Sequence, residues 1–292
     1  MSNETVRIDA LLPPEMAQRA EALGVRKVTL NAMVMFVLAV LAGAFIALGA
    51  IFATTVLAGL GGNAQNNVPG LPYGVQRMLA GLVFCLGLIL VVVGGAELFT
   101  GNNLIVMAWA RGKVSTAALL RNWVIVYVGN FVGSVATAFI MYLSKQYTFG
   151  GGAIGNAALN IANSKVNLEF MQAIALGIMC NALVCLAVWL TYSARSTVDK
   201  IFSIVFPISA FVAAGFEHSV ANMYFIPIAL FIRQFDPAFY DAWAANVTAN
   251  TANLTWQGFL INNLLPVTIG NIIGGAVMVG VVYWFVYLRK SE

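Results

Sequence analysis

Five stretches of this chain, residues 30–60, 78–96, 122–144, 170–194 and 242–288, contain no Asp, Glu, Lys or Arg. A helix of about 20 predominantly apolar residues crosses the hydrocarbon of a bilayer, so runs of this kind constrain the fold more than any motif does. Charged residues make up 9% of the 292-residue chain, against about 25% in soluble domains. The composition therefore points to an integral membrane protein rather than a large soluble core. The apolar runs are solid rather than alternating, which favours helices over a transmembrane barrel. Six spans are predicted, at about 31–58, 77–110, 117–144, 168–193, 201–234 and 257–288. The first 29 residues are mixed polar and charged and do not read as a cleavable signal peptide. Pro13-Pro14 before "EMAQRAEALGVRK" predicts a short surface helix with prolines in its first turn. Such a basic helix could lie on the membrane or cap the bundle.

Basic residues set the expected orientation. Eleven of the fifteen Lys and Arg fall before the first span, between the second and third, between the fourth and fifth, and after the sixth. Only Arg77, Lys145, Lys165 and Arg233 fall on the opposite side. Both termini are thus expected in the cytoplasm, with residues 1–30 an N-terminal arm, 31–289 a single transmembrane domain and 290–292 a tail. The net charge of +4 reflects this flanking bias and gives no argument for nucleic-acid binding. Cys85, Cys180 and Cys185 all lie inside apolar spans, without the spacing of a disulfide framework or a zinc site. They read as small packing residues, and no metal or cofactor is expected.

Two internal echoes carry the next step. "GGAELFTGN" in the second span and "AGFEHSVAN" in the fifth share G-x-E-x4-N: Gly95, Glu97 and Asn102 against Gly215, Glu217 and Asn222. "NWVIVYVGNFVG" in the third span and "NLLPVTIGNIIG" in the sixth share N-x6-GN-x2-G, from Asn122 and from Asn263. Two matches in the same order imply a duplicated unit of three spans, about 31–144 and 168–289. Three is odd, so the second copy must run inverted through the membrane. Inverted repeats are typical of transport folds, with the functional site near the midplane. The second and fifth spans are longer than a crossing needs and are interrupted by small and polar residues. Irregular backbone at that depth is tolerated only where protein or a water-lined cavity satisfies it, so both are predicted to be broken helices.

Glu97 and Glu217 are then expected at the start of the second half-helices. There they could accept from free backbone N–H groups and face the positive end of a helix dipole, or contact the permeant directly. Asn102 and Asn222 help to satisfy the same breaks. His218, the only histidine, stands where the first repeat has Leu98, so the fold itself does not require an imidazole there. An ionisable group at midplane marks an ion or proton pathway more often than a packing position. An unperturbed histidine changes charge near pH 6.5, inside the physiological range.

The segments "GFEHSVANM", "GGAELFTGN", "LVFCLGLIL", "WLTYSARS" and "NLLPVTIGNIIGG" together resemble the formate/nitrite transporter family, closest to its formate-channel branch. The likeness runs from about "LLPPEMA" to "YLRK", with a longer first external loop (57–74) as the main departure. It implies an aquaporin-like fold, a homopentamer with one pore per subunit and a bacterial inner-membrane location. It also implies roles for particular residues: His218 as central histidine, Thr100 in the flexible loop of the second span, Asn181 facing the histidine region, Lys165 attracting anions to the outer mouth, and Asn271 in the sixth span. Phe84, Leu88, Leu98, Val184 and Phe211 correspond to the narrow apolar constrictions. Some have a plainer reading too: Thr100 as a helix cap, Lys165 as an ordinary interface charge, any one of the five apolar residues as core.

The expected cargo is a small monovalent weak-acid anion: formate, with nitrite, acetate or hydrosulfide as alternatives. An anion entering an apolar constriction loses its hydration at large cost. Either cationic Lys165 and His218 balance its charge, or a proton relayed through His218 converts it to a neutral acid. An intramembrane enzyme is the competing class, but there is no H-E-x-x-H, no serine-nucleophile signature and no second histidine for a haem.

Overall fold

A computed structural model describes residues 10–63 and 68–289. The first nine residues of the expected arm, part of the first loop and the tail 290–292 lie outside the described residues. Among the described residues six helices are long and apolar enough to cross a membrane: α2 (Ala32–Leu57), α3 (Tyr73–Gly94), α6 (Thr116–Leu143), α8 (Phe170–Ser193), α9 (Thr197–Ala214) and a final span, Gly258–Tyr287. Among the described residues the fold is all-α apart from a two-residue antiparallel pairing, Gly62–Asn63 with Val68–Pro69, in the first loop. The outer faces stay apolar: Val124, Val128, Val132 and Ile140 of α6 are all exposed, as a lipid-facing helix requires.

The second span is broken as expected. α3 ends at Gly95, the chain runs non-helically, and helix resumes as α4 (Phe99–Asn102), a 3-10 turn and α5 (Val106–Ala110). The fifth does the same: α9 ends at Gly215 and α10 (Ser219–Phe235) follows. Gly95 (φ 79°) and Gly215 (φ 77°) both sit in the left-handed region, where a side chain is disfavoured and glycine ends helices readily. The glycine of G-x-E is thus the residue that stops each first half-helix. The final span contains π-helical stretches at Gly258–Leu264 and Ile273–Val281 around the short α12 (Leu265–Ile272) and ends in α13 (Val282–Tyr287).

Packing repeats the duplication. Gly133 of α6 meets the Val40 carbonyl of α2, and Gly274 of the final span meets the Ile178 carbonyl of α8, so closely that a Cβ at either glycine would collide with that oxygen. Small residues let helix backbones approach without a side chain between them. Three helices outside the spans were not all foreseen. α1 (Pro13–Val28) is the predicted surface helix, with prolines at its start. It packs on the bundle through Met16, Ala17, Ala20 and Gly24. α7 (Ala153–Val166) and α11 (Pro237–Ala244) gave no separate signal in the sequence. α7 is the counterpart of α1, because each follows the same order of short helix, span, broken span, span.

Candidate functional site

The two breaks are built from one hydrogen-bond plan, used twice. In the first, the Glu97 N–H donates to the Leu38 carbonyl (3.2 Å) and the Phe99 N–H to Asn130 Oδ1 (2.9 Å). Asn130 Nδ2 donates back to the carbonyls of Ala39 (2.8 Å) and Glu97 (2.9 Å). In the second, the Glu217 N–H donates to the Leu176 carbonyl (3.3 Å) and the Ser219 N–H to Asn271 Oδ1 (2.9 Å). Asn271 Nδ2 donates to the carbonyls of Gly177 (2.8 Å) and Glu217 (2.9 Å). Buried backbone polar groups need partners, and one fully buried asparagine from the third or sixth span satisfies three of them at each break. Asn130 went unnoticed in the sequence as a site residue, although the GN-x2-G echo already paired it with Asn271.

The glutamates support the breaks by another route than the one expected. Neither carboxylate takes a backbone N–H of the second half-helix. Glu97 Oε1 accepts from Lys27 Nζ (2.7 Å) and Oε2 from Asn102 Nδ2 (2.7 Å). Glu217 Oε1 accepts from Lys165 Nζ (2.6 Å) and Oε2 from Asn222 Nδ2 (2.7 Å). The asparagines continue the chain to Asn122 (3.0 Å) and Asn263 (2.7 Å), whose amides donate to the backbone carbonyls of Lys27 (3.4 Å) and Lys165 (3.0 Å) respectively. Lys27 and Lys165 are therefore equivalent residues, at the ends of α1 and α7. A signal for this was present: Lys27-Val28-Thr29-Leu30 and Lys165-Val166-Asn167-Leu168 both read K-V-x-L.

Two departures from the symmetry matter to the site. Lys27 Nζ also donates to Asn102 Oδ1 (2.9 Å), whereas Asn222 Oδ1 is buried without a partner. Its own Nδ2 faces two acceptors, so the amide cannot be flipped to hide this oxygen. The second departure is His218. Leu98 and His218 take the same backbone conformation before their half-helices. The leucine offers nothing to α4. His218 Nδ1 accepts the Ala221 N–H (3.0 Å) and so caps α10. An Nδ1 that accepts must be unprotonated, so the neutral ring carries its proton on Nε2. Nε2 lies 2.9 Å from Thr100 Oγ1, bringing the two repeats into contact.

Two cavities approach this point from opposite faces. One, of about 260 Å³, is lined by Phe84, Lys165, Phe211, Glu217, His218 and Asn222 among others. The other, of about 460 Å³, is lined by Lys27, Leu88, Glu97, Leu98 and Asn102, with Arg19, Arg26 and Lys200. Phe84, Leu88, Leu98, Val184 and Phe211 are all buried. Phe84 and Phe211 meet edge to face at 5.7 Å, and Phe211 stacks on the His218 ring at 5.9 Å. Thr100, Val184, Asn181 and Asn271 line neither cavity. Asn181 Nδ2 is taken up by Asn103 Oδ1 (2.9 Å) and by the carbonyls of Asn271 (2.7 Å) and Thr100 (3.3 Å), which ties the His218 partner to the sixth span. Among the described residues no group of three His, Cys, Asp or Glu could hold a metal ion.

Comparison with known proteins agrees with this geometry. The family model described as "Formate/nitrite transporter" matches residues 14–285. The formate channel FocA of Escherichia coli K12 is 45% identical over 285 residues, covering 97% of each chain. FocA of Haemophilus influenzae is 39% identical, covering 99% of each. A solved structure titled "Pentameric formate channel with formate bound" superposes with a TM-score of 0.79 at 46% identity, covering 88% of this chain and 98% of that one. A second, titled "FNT family ion channel", gives 0.74 at 28% identity, covering 93% and 98%. With two inverted three-span repeats, broken second and fifth spans and this match across nearly its whole length, the chain belongs to the formate/nitrite transporter family.

Proposed function

We propose that this protein is a homopentameric channel of the bacterial inner membrane that moves formate and similar weak-acid anions, neutralising them beside His218. The observation that carries the reading is the His218–Thr100 contact, with His218 on one of two cavities that are each lined by a lysine–glutamate pair. Relatives 39% and 45% identical are named formate channels, and the solved pentamer that this chain resembles holds formate. Both termini and α1 face the cytoplasm, as the basic residues argue. The chain divides into an arm over 1–30, a membrane domain over 31–289 and a short tail. The α7 side is then the outer mouth.

The chemistry follows from the ring nitrogens. An anion in the outer cavity meets Lys165 and, beside Phe84 and Phe211, the ring of His218. Neutral His218 can turn its Nε2–H from Thr100 Oγ1 to the anion, but proton transfer from that form would leave an imidazolate. To give up Nε2–H as a proton, the ring must first gain one on Nδ1. That gain breaks the Ala221 cap, because Nδ1 cannot accept and carry a proton together. The relay therefore takes a proton from hydronium in the cavity water onto Nδ1, coupling that step to loosening of the α10 N-terminus, or a chain of waters carries the same hydronium proton past His218 to the anion. Either way the carboxylate becomes a neutral acid, which crosses the apolar ring without the desolvation cost of a charge. Thr100 holds the ring in place. Glu97, Glu217, Asn102, Asn222, Asn181 and Asn271 act through it by fixing the breaks.

The test is uptake of labelled formate, nitrite and hydrosulfide into proteoliposomes, side by side, with His218→Phe and His218→Asn. Formate should move fastest in the wild type. His218→Phe should lose pH-coupled uptake while still assembling, and His218→Asn should retain at most passive, weakly pH-dependent flux. Wild-type rates and pH profile in both variants between about pH 5 and 8, where histidine titrates, would sink the relay.

A further inference from the structure

The outer cavity holds a charge that the family lysine does not account for. Lys165 Nζ lies 2.6 Å from Glu217 Oε1, and both side chains are largely buried. A closed pair of this kind presents little net charge to an ion approaching from the mouth. His218, neutral with Nδ1 engaged, adds none. The remaining ionisable side chain of charged type on this cavity is Arg77, on the first turns of α3. Arg77 makes no ion pair among the described residues. It donates through Nε to the Ala213 carbonyl (3.4 Å) and through Nη2 to the Val212 carbonyl, at the last turn of α9. It is half-buried, and a Cβ on Gly215 would meet its Nη2 at 3.7 Å, beside the fifth-span break.

The other cavity is arranged differently. Lys27 is likewise paired with Glu97, but Arg19, Arg26 and Lys200 surround it with further positive charge. On the outer side Arg77 stands alone. The other outer-side cations are outside this cavity: Lys145 donates to Tyr147 and Arg233 to the Leu254 carbonyl. A guanidinium on helix C-terminal carbonyls is partly offset by the dipole but stays charged at every accessible pH. Its uncommitted N–H groups remain free for an anion.

We propose that Arg77, rather than the Lys165–Glu217 pair, supplies the net positive charge that collects small anions in the outer cavity before they reach Lys165 and His218. This rests on the small-anion reading above. Arg77 acts by raising the local anion concentration, so it controls half-saturation and leaves the barrier at the apolar ring unchanged. One unit charge at cavity distance, in the high effective dielectric of a wet vestibule, corresponds to a roughly three- to tenfold change in occupancy. The field is screened as the Debye length falls from about 30 Å at 0.01 M salt to about 8 Å at 0.15 M.

The experiment measures initial formate uptake from the outer side, as half-saturation and maximal rate, across that salt range. Wild type, Arg77→Gln and Arg77→Lys are compared after each is shown to elute as the wild-type oligomer. Arg77→Gln should raise half-saturation about three- to tenfold at low salt with an unchanged maximal rate, and the gap should close as salt rises. Arg77→Lys, which keeps the charge but loses the fork that caps α9, should stay near wild type. Equal impairment of both variants would overturn the proposal, since a purely capping role predicts it. So would a wild-type half-saturation that is flat in salt, a measurement that stands even if Arg77→Gln does not assemble. A wild type that carries no formate would instead refute the small-anion reading itself.

Discussion

Asn271 can be a group that touches the permeant or a knot that holds the fifth-span break, and its mate Asn130 separates the two. Both asparagines are fully buried and make the same three hydrogen bonds, one accepted and two donated. Asn271→Ala orphans the Ser219 N–H and the Glu217 carbonyl, and takes from the Gly177 carbonyl a second bond beside the one it makes within α8. A buried polar group left unsatisfied costs about 1–3 kcal/mol. The two orphaned groups together come to about 2–6 kcal/mol. Each kcal/mol moves Tm by about 2–4 °C in a chain of this size class, so the melting temperature in detergent should fall by roughly 4–24 °C. Asn130→Ala should do the same, because its three partners are equivalent. The assay is thermal melting followed by size-exclusion chromatography, with formate uptake measured below the new Tm. If Asn271→Ala keeps the wild-type Tm yet loses uptake, while Asn130→Ala does not lose it, Asn271 acts on the permeant and the knot argument is wrong.

Gly274→Val should prevent assembly, because any Cβ there collides with the Ile178 carbonyl, whereas Gly74→Ala, which faces open space, should assemble normally; detergent-stable oligomer yield compares them. Outside the spans, Tyr147 donates to Asp236 Oδ2 (2.6 Å), and that bond holds the Asp236 carboxyl below the usual range for an aspartate. A lowered carboxyl stabilises the fold above its unfolded pKa near 4 and loses that contribution as pH falls through the folded value. The protection of the amides at 237–244, measured against their intrinsic exchange rates, should therefore fall on acidification below about pH 4, and in Asp236→Asn that fall should disappear. External protease should leave α1 intact in sealed right-side-out vesicles, and cleavage there would reverse the assigned orientation.

The spans, their number, the two breaks and the inversion were legible in the sequence because each rests on local chemistry. Uncharged runs report the thickness of the hydrocarbon, a glycine with positive φ stops a helix, and an odd number of spans forces the second copy to invert. His218 stood out because the duplication placed Leu98 opposite it. The partners at the breaks were not legible. Backbone N–H groups at 99 and 219 could have been met by the adjacent glutamates, but are met by Asn130 and Asn271, 31 and 52 residues away. An asparagine in an apolar run has no periodicity to say which bond it makes, so only the crossing of the third and sixth spans decides it. Lys27 shows the same limit. It read as one flanking charge among eleven until α1 folded onto the bundle and set its ammonium on Glu97. The tautomer of His218 was decided last, by whether one backbone N–H, that of Ala221, lay within reach of Nδ1.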